Sequence, residues 1–537
     1  MILLASERCL PHSVSPRTYR HLSHSVSRCG GLPPPFKCDE LQTLRESLHA
    51  SSREHLSVPA VSFPLHGEKI TLLNSPPQFF EALVDGIHGA ERRIVLASLY
   101  FGRGPDAVHL VELLQHACLT KPNIKIHILM DHLRGTRAGK AGHWRKGKSK
   151  YRKYVMKKLK LEKDPPESLY PESTASLLLP LIQEFPQNVK VTFYHTPKLS
   201  GLVERIVPQP TNEVVGVQHM KAYVFDDDAI VSGANLEDNY FLNRVDRYAV
   251  FRDLPQLSDY FCGLVDTVAT FSYNLCKDGA LRFNKSEHVH SHGDRSFGAF
   301  AAGAMESYTR QYIEKIQNYK SAETGPTDTI AYVTMQLGQV GLRQDEEFTM
   351  QMFRELSRQR WHTILTSPYF NVTESYTRAI LKHKGRFDVV VAAPRANGFF
   401  FSKGLLPKIP VMYSQMLKEF FDRSFAQRAE GRLRVFDWYR NGWTYHGKGL
   451  WARKEGTDCP SVVNIGSSNY GRRSVQRDLE VQVTLLTENE QLQKQFGREC
   501  RNLTPYLTPV SRETFTQPDY LVPRIWRYVA AILKSYL

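Results

Sequence analysis

The chain of 537 residues carries the same order of sequence patterns twice, and this internal repeat limits the folds that it can adopt. Apolar runs typical of strands occupy equivalent places in the two copies: 92–102, 123–131 and 188–195, then 360–371, 386–394 and 432–439. The first run of each copy ends in a Ser-x-Tyr-Phe turn, and a helical stretch follows it. Strands that alternate with helices predict two α/β halves related by pseudo-twofold symmetry, with one active site at their interface.

The repeat also sets the expected boundaries of the domains. The first half spans 68–275 and contains a basic insert at about 134–175, and the second half spans 328–537. A linker at 276–327 is expected to join them, and residues 1–50 are expected to lie outside the fold as a transit peptide or disordered segment.

The composition of the N-terminus supports this assignment. The first 38 residues contain six serines and five basic residues but only one acid, Glu7. An Arg- and Ser-rich, acid-poor segment is typical of a mitochondrial or plastid transit peptide. No run in the chain approaches the ~18 apolar residues of a membrane-spanning helix, so any membrane contact is expected to be peripheral.

Each half contains one His-x-Lys motif, formed by His219 with Lys221 and by His446 with Lys448. Residues two apart on a strand share one face, so the members of each pair project into the same space. One imidazole can attack phosphorus while the other protonates the leaving oxygen, and the lysines can hold the non-bridging oxygens. The motifs predict phosphoryl transfer that needs no metal and no cofactor, because the lysines supply the charge that Mg²⁺ would bring.

Polar residues downstream of each motif complete the expected site. A nucleophilic imidazole needs its second nitrogen oriented by an acceptor. Asp246 and Glu480 each precede a further strand, and we expect each of them to orient one of the two histidines. Asn235, Ser467 and Asn469 lie between the motifs and these acids and are predicted to bind phosphate oxygens.

A weaker pattern follows the first strand of the repeat. Ala97, Gly102 and Gly104 belong to the segment ASLYFGRG, which has two glycines after a strand. The segment lacks the Gly-Lys-Ser/Thr ending of a nucleotide-binding loop. It is therefore a weak candidate for contact with ATP or another nucleotide, and the alternative is a strand-end turn that lines the site.

These motifs resemble the phospholipase D superfamily, whose signature is His-x-Lys, four residues, Asp and then a Gly-Ser/Asn segment. HMKAYVFD matches that signature in full, whereas Arg453 stands where the second aspartate belongs. The resemblance covers 68–537. It implies catalytic roles for His219, Lys221, Asp226, His446 and Lys448.

Within the superfamily the chain resembles the phosphatidylglycerophosphate synthases of eukaryotic mitochondria. The strings that carry this resemblance are ASLYFG, SGANLEDNYF, NRVDRY, NGFF, KGLLPKIP, WTYHGKGLW and IGSSNYGRRSVQRDLE. They imply transfer of a phosphatidyl group from CDP-diacylglycerol to glycerol 3-phosphate, through a phosphatidyl-histidine on His219 with His446 as acid and base. They also imply Arg473 as the seat of the acceptor phosphate, with Arg472 and Arg244 behind it, and a peripheral location on the mitochondrial inner membrane.

Two alternatives share the same chemistry. One is another phosphatidyltransferase of the superfamily, such as a cardiolipin or phosphatidylserine synthase, because the catalytic residues do not distinguish acceptors. The other is a phosphodiesterase of the tyrosyl-DNA or nuclease type, which a basic protein would suit.

The distribution of charge disfavours nucleic acid as the partner. The formal net charge is +16, but residues 134–163 hold 13 basic residues and one acid, and the N-terminal 38 residues, with five basic residues and one acid, account for the remaining surplus. The insert is interpreted either as an attachment to an anionic membrane or as a solvated loop. The C-terminal stripe of Ile525, Val529, Ile532 and Tyr536 either packs on its own domain or lies in a membrane interface.

Overall fold

The computed structural model describes residues 39–54, 56–137, 171–196, 215–283, 294–318, 327–404, 406–427, 429 and 431–534. The predicted transit peptide before residue 39, and the part of the basic insert from 138 to 170, lie outside the described residues. Those two predictions therefore stay predictions.

Twenty strands and fourteen helices belong to the described part of the chain. The strands are β1 Val61–Leu65, β2 Ile70–Leu73, β3 Arg93–Ala97, β4 Lys125–Asp131, β5 Val189–Tyr194, β6 Ala222–Phe225, β7 Asp228–Ser232, β8 Arg244–Val245, β9 Tyr248–Phe251, β10 Tyr273–Leu275, β11 Leu281–Phe283, β12 Thr329–Leu337, β13 His362–Ser367, β14 Phe387–Ala392, β15 Leu433–Trp438, β16 Thr444–Tyr445, β17 Gly449–Arg453, β18 Val462–Gly466, β19 Leu479–Thr487 and β20 Leu507–Pro509. The helices are α1 Asp39–Glu54, α2 Pro76–Gly89, α3 Pro105–Thr120, α4 His132–Thr136, α5 Thr174–Glu184, α6 Asp238–Leu242, α7 Pro255–Ala269, α8 Asp294–Asn318, α9 Gln344–Arg358, α10 Glu374–Leu381, α11 Lys408–Ala426, α12 Arg472–Gln476, α13 Glu490–Leu503 and α14 Arg524–Leu533.

Two nine-stranded sheets repeat the same topology. The first has the order β11-β10-β5-β4-β3-β6-β7-β9-β2 and the second has the order β1-β12-β19-β18-β17-β13-β14-β15-β20. In each, three parallel strands are followed by an antiparallel ladder that begins with the hairpin after the His-x-Lys motif. The predicted fold of two α/β halves is confirmed.

The sheets are buried on both faces, which explains why their strands are continuously apolar rather than alternating. One core packs α2, α3 and α5 against the outer face of the first sheet, and another packs α1, α9, α10 and α11 against the second. A central core between the sheets also includes α7 and α8. This central layer fixes the two halves relative to each other.

The structure differs from the expected boundaries at two places. Leu41, Leu44 and Leu48 of α1 are buried against the second half, so residues 39–50 belong to the fold rather than to an excluded N-terminal segment. The expected linker contains α8, which buries Phe297 and Met305 in the central core. Both segments have apolar residues at helical spacing, which is the signal that identifies them as packed helices.

Candidate active site

Two short parallel contacts between the halves position the His-x-Lys motifs. The backbone N–H of His446 donates to the carbonyl of Val245 at 2.7 Å, next to the parallel pairing of β8 with β16. In the equivalent place the N–H of His219 donates to the carbonyl of Leu479 at 2.8 Å, and the N–H of Leu479 donates to Val217 at 2.9 Å. The backbone of each motif is therefore hydrogen-bonded to the residue that precedes the predicted histidine-orienting acid of the other half.

This backbone arrangement makes the histidine–acid pairs cross between the halves. Nδ1 of His219 lies 2.9 Å from Oε2 of Glu480, whose other oxygen accepts a hydrogen bond from Ser474. Nδ1 of His446 lies 2.6 Å from Oδ2 of Asp246. The structure thus places each predicted acid against a histidine, and in each pair the two residues come from different halves.

The two lysines are fully buried beside these pairs. Nζ of Lys221 donates to the carbonyl of His219 at 2.7 Å. Nζ of Lys448 donates to Oδ2 of Asp246 at 3.0 Å and lies 2.8 Å from Nδ1 of His446. The predicted cations are therefore held next to both imidazoles.

Burial and nearby cations keep both imidazoles neutral. Burial lowers the pKa of His219 well below its ordinary value, and Lys221 and Lys448 lower it further. The pKa of His446 is likewise lowered well below its ordinary value, by burial and then by Lys448 and Arg244. A neutral imidazole that donates Nδ1–H to a carboxylate presents Nε2 as a base or nucleophile. Each motif acts on the pKa of the other motif's histidine, so the two form one site.

The predicted phosphate-binding asparagines occupy equivalent positions, directly after β7 and β18. Asn235 is buried and donates through Nδ2 to the hydroxyl of Tyr240 at 3.2 Å. The Oδ1 atoms of Asn235 and Asn469 are buried and have no hydrogen-bond partner among the described residues. Unfilled hydrogen-bonding capacity at both positions suits a pocket that receives a polar ligand.

The structure gives Ser467 a different place from the predicted one. Its buried hydroxyl donates to the carbonyl of Val481 at 3.2 Å and accepts from the N–H of Val481 at 3.1 Å. The hydroxyl is therefore used to join the end of β18 to β19, next to Glu480. Its prediction as a phosphate ligand is not supported by these contacts.

Asp226 is not brought to the site. It lies in the tight turn between β6 and β7 with a φ of 51°, where its carboxylate accepts the N–H groups of Glu91, Arg92 and Arg93 at 2.8, 2.8 and 2.9 Å. Strand β6 separates it from Lys221, and each residue of a strand adds ~3.3 Å. The expectation of a catalytic Asp226 is corrected to a structural role, in which it holds the start of β3.

Arg453, which occupies the equivalent position of the second half at the end of β17, also serves the fold. Nε of Arg453 donates to Nδ1 of His362 at 3.2 Å, and His362 Nε2 lies 2.8 Å from Asp388. A second guanidinium nitrogen of Arg453 donates to the carbonyl of Asp458 at 3.0 Å. Arg453 therefore fastens the start of β13, as Asp226 fastens the start of β3, and no catalytic aspartate is missing.

At the weak nucleotide-loop candidate, a side chain of the protein occupies the space that a phosphate would need. Gly104 is the N-cap of α3, and a Cβ there would collide with the carboxylate of Asp238, which accepts the N–H of Ala107 at 3.2 Å. Burial raises the pKa of Asp238 to about 7. Gly102 allows an equally close approach of the segment after Asn235, and Ala97 is buried within β3. A carboxylate occupies the helix end that a nucleotide phosphate would need, so the strand-end turn is the better interpretation.

A partly buried arginine lies beside His446. Arg244 donates to the hydroxyl of Tyr369 at 2.7 Å, and its guanidinium lies 4.7 Å from the ring centroid of Tyr240. Its Nε is buried without a hydrogen-bond partner, and it forms no ion pair with any residue that the structure describes. A partly buried guanidinium that makes no ion pair with a described carboxylate is a candidate for an anion-binding group.

Arg473 is placed on the side of His219. It forms an ion pair with Asp478 at 3.1 Å and contributes to the lowered pKa of His219. Nε of Arg472 is also buried without a partner, but this residue lines a different cavity together with Glu374 and Lys534. The three arginines named from the sequence are thus distributed over two sides of the site and one neighbouring cavity.

Two tyrosines that the sequence analysis did not assign form a wall of the pocket. The rings of Tyr240 and Tyr369 lie edge-on to His446, with centroids 5.1 and 5.6 Å away. Tyr369 also stacks on Tyr413 at 5.5 Å. Tyr369 belongs to the repeated Ser-x-Tyr-Phe turn, and this repetition is the signal that could have found it.

One group of potential metal ligands lies within the site. Ligand atoms of His219, Asp478 and Glu480 lie within 4.8 Å of one another. Glu480 already bonds to His219, and Asp478 accepts the N–H of Val217 at 3.0 Å and pairs with an arginine. A cluster whose acids are paired, beside buried lysines, is a poor match for a divalent cation.

The fold and the paired motifs define the chain as a member of the phospholipase D superfamily. A solved structure titled phosphatidylserine synthase, from Haemophilus influenzae, has a TM-score of 0.65 over 93% of this chain and all of that chain, at 19% sequence identity. That likeness concerns the fold. No protein-family model matches the chain.

Sequence relatives define the family more narrowly. The chain is 34% identical over 502 residues to the human mitochondrial CDP-diacylglycerol–glycerol-3-phosphate 3-phosphatidyltransferase, covering 88% of this chain and 84% of the relative. It is 33% identical over 495 residues to a protein from Dictyostelium discoideum named as probably the same enzyme, covering 90% and 80%. The chain belongs to the CDP-diacylglycerol–glycerol-3-phosphate 3-phosphatidyltransferase family of enzymes. Within the described ranges, no helix combines the length and apolarity needed to cross a bilayer.

Proposed function

We propose that this protein transfers the phosphatidyl group of CDP-diacylglycerol to glycerol 3-phosphate, giving phosphatidylglycerophosphate and CMP. The observation that carries the proposal is the crossed pair of histidine–acid contacts, which brings two neutral imidazoles and two buried lysines into one site. The relatives' names supply the donor and the acceptor.

In the first step, Nε2 of His219 attacks the phosphatidyl phosphorus. The bond from phosphorus to the oxygen of CMP breaks, and His446 gives that oxygen a proton. The anionic donor raises the pKa of His446 when it binds, because it offsets the cations that lower this pKa in the empty pocket. The phosphatidyl group is left on His219.

In the second step, His446 acts as a base. It takes the proton from the primary hydroxyl of glycerol 3-phosphate, which attacks the phosphatidyl-histidine and releases His219. Lys221, Lys448 and the two asparagines stabilise the charge on the non-bridging oxygens in both steps. The assignment of His219 as nucleophile follows the order of the motifs in the superfamily.

In-line displacement favours Arg244 over Arg473 as the seat of the acceptor phosphate. Leaving and attacking oxygens lie opposite the nucleophile, on the side of His446. Arg244 lies on that side, whereas Arg473 pairs with Asp478 beside His219. Arg244→Lys should therefore raise the KM for glycerol 3-phosphate at least tenfold, and Arg473→Lys should raise it less.

The relatives' names also support a mitochondrial location. We propose that the enzyme acts there as a peripheral protein of the inner membrane. Import of a fusion of residues 1–50 to a reporter protein would test the location separately from the activity.

The direct test incubates the purified protein with CDP-diacylglycerol and labelled glycerol 3-phosphate. Wild type should release CMP and form a labelled lipid, and His219→Asn should do neither. His127→Asn is the matched control, because His127 is another buried histidine paired with a carboxylate, Asp266 at 2.9 Å, and neither residue belongs to the two motifs.

The same assay distinguishes the alternatives. Labelled serine or phosphatidylglycerol in place of glycerol 3-phosphate tests a phosphatidylserine or cardiolipin synthase, and a tyrosyl-DNA adduct tests a DNA phosphodiesterase. Lipid formed from another acceptor, or cleavage of the adduct without a lipid product, would overturn the proposal.

A further inference from the structure

Exposed apolar side chains are concentrated on one part of the surface. Of the ten large hydrophobic side chains exposed among the described residues, six lie on the loop before α11 or on and just before α14. We call these six the apolar patch: Phe401, Leu406, Leu521, Ile525, Tyr528 and Ile532. A contiguous exposed apolar patch on a protein surface marks an interaction site.

Helix α14 is apolar on two faces, and the other described residues cover one of them. Trp526, Val529, Ala530 and Leu533 pack on Met412 and Met416 and their neighbours on α11. The opposite face carries Ile525, Tyr528 and Ile532, which are 65%, 73% and 74% exposed. These three residues follow helical spacing and form one stripe, whereas Val529 of the predicted stripe lies on the packed face and Tyr536 lies outside the described residues.

The loop before α11 extends the same surface. Phe401 is 80% exposed, and it follows Phe400, with which it makes an edge contact at 4.9 Å. Helix α11 begins at Lys408, whose ammonium lies 5.9 Å from the ring centroid of Trp526 on α14. The loop and the helix therefore meet at the N-terminal end of α11.

The loop before α11 and the end of α14 both contact the region around His446. In the loop, Gly398 lies against Arg244, and the ring of Phe399 is 6.2 Å from that of Tyr369. At the other end, the carbonyl of Lys534, just after α14, accepts a hydrogen bond at 2.6 Å from Asn371, two residues after Tyr369. The apolar patch therefore flanks the residues that surround His446.

The charge of these elements favours an anionic partner. Residues 397–413 contain two lysines and no acid, and residues 521–534 contain two arginines, one lysine and no acid. An apolar stripe bordered by basic residues is the pattern of a helix that lies in the interface of an anionic bilayer. A protein partner would not require the absence of acids on both elements.

We propose that the apolar patch docks this enzyme on an anionic lipid bilayer and turns the mouth of the catalytic pocket toward it. The proposal rests on the proposed function, which takes its donor from a membrane. The apolar side chains enter the acyl boundary, and Lys403, Lys408, Arg524 and Arg527 lie at the headgroups.

Vesicle binding tests the surface without any use of activity. Sedimentation would compare phosphatidylcholine vesicles that contain about one third phosphatidylglycerol with vesicles of phosphatidylcholine alone. The variants are Phe401→Glu and Ile532→Glu, and Leu119→Glu is the matched control because Leu119 is 60% exposed on α3 of the other half. All three positions are on the surface, so the fold should tolerate the changes.

Each patch variant should weaken binding to the anionic vesicles at least tenfold, and Leu119→Glu should leave it unchanged. Wild type should bind the anionic vesicles more tightly than the neutral ones. The proposal is overturned if both patch variants bind like wild type, or if Leu119→Glu weakens binding as much as they do. It is also overturned if the patch variants convert a dimer to a monomer and wild type does not bind vesicles, since the patch would then join two copies of the chain.

A kinetic comparison separates this proposal from the proposed function. With the donor in anionic vesicles, Phe401→Glu should lower the rate at least tenfold, while a short-chain donor below its micellar concentration should restore the wild-type rate. If the patch variants lose vesicle binding and wild type forms no phosphatidylglycerophosphate, docking is supported and the proposed function is contradicted. Full activity of Phe401→Glu on vesicles would support the function and overturn docking.

Discussion

Nδ1 of His219 lies 2.9 Å from Oε2 of Glu480, although 261 residues separate them in the chain. The contact joins the motif of the first half to strand β19 of the second half. His446 and Asp246 form the reciprocal contact. Neither half pairs its own motif histidine with its own acid, so the active site exists only when the two halves are packed together.

The crossed contact makes Glu480 a positioning residue for the proposed nucleophile. Glu480→Gln should lower kcat by about 10²–10⁴ with little change in KM, because the amide can hold the wrong tautomer of His219. The measurement is the steady-state rate of CMP release. Glu237→Gln, at the N-cap of α6, is the control for loss of one carboxylate, and equal rates for Glu480→Gln and wild type would contradict the assignment.

Asp226 should matter for stability rather than catalysis. Asp226→Asn removes part of an acceptor set for three backbone N–H groups and should lower the free energy of unfolding by ~1–3 kcal/mol. kcat should stay within about twofold of wild type. Thermal unfolding and CMP release measure the two effects, with Asp227→Asn as the neighbouring control, and a kcat lowered a hundredfold in a stable protein would restore a catalytic role.

The sequence predicted the fold well because the signals were local and repeated. The strands beginning near 92, 123, 188, 360, 386 and 432 all correspond to observed strands. The two His-x-Lys pairs were found for the same reason, since spacing along one extended segment fixes which side chains share a face.

Contacts between the two halves were harder to predict from the sequence. The residues between Lys221 and Asp226 form strand β6, and this strand places Asp226 away from His219. Which acid orients which histidine depends on the parallel contacts of β8 with β16 and of Val217 with Leu479, and no local pattern encodes those contacts. Arg244 and Tyr369 come together only in the folded protein, so their position beside His446 was also invisible in the sequence.

Gly233 leaves the space that Lys448 occupies. A Cβ at this position would collide with Nζ of Lys448 and lie 2.6 Å from Oδ1 of Asp246. Both are ends of side chains that can shift, so Gly233→Ala should fold but displace the lysine and lower kcat about a hundredfold or more. Gly303→Ala in α8 is the control, because nothing lies within 4 Å of its Cβ.

For Gly233→Ala, the melting temperature and the rate must be measured together. A normal melting temperature with a low rate is the expected result. A normal rate would show that Lys448 does not need its observed place, and a collapsed melting temperature would show that the neighbouring backbone, not the lysine, sets the need for glycine.

The lowered pKa of His219 predicts the acid side of the pH profile. Its neutral form is the nucleophile, so a pKa below the ordinary 6.5 moves the loss of activity to lower pH. The acid limb of kcat/KM for CDP-diacylglycerol should therefore be centred below pH 6.5. After burial, Lys221 is the largest cause of the lowered pKa. Lys221→Met should lower the rate and also move the acid limb upward toward 6.5. Lys190→Met, at an exposed position of β5, is the control and should change neither the rate nor the acid limb. An acid limb centred above pH 7 in wild type, or one that Lys221→Met leaves in place, would contradict the assignment of a neutral His219.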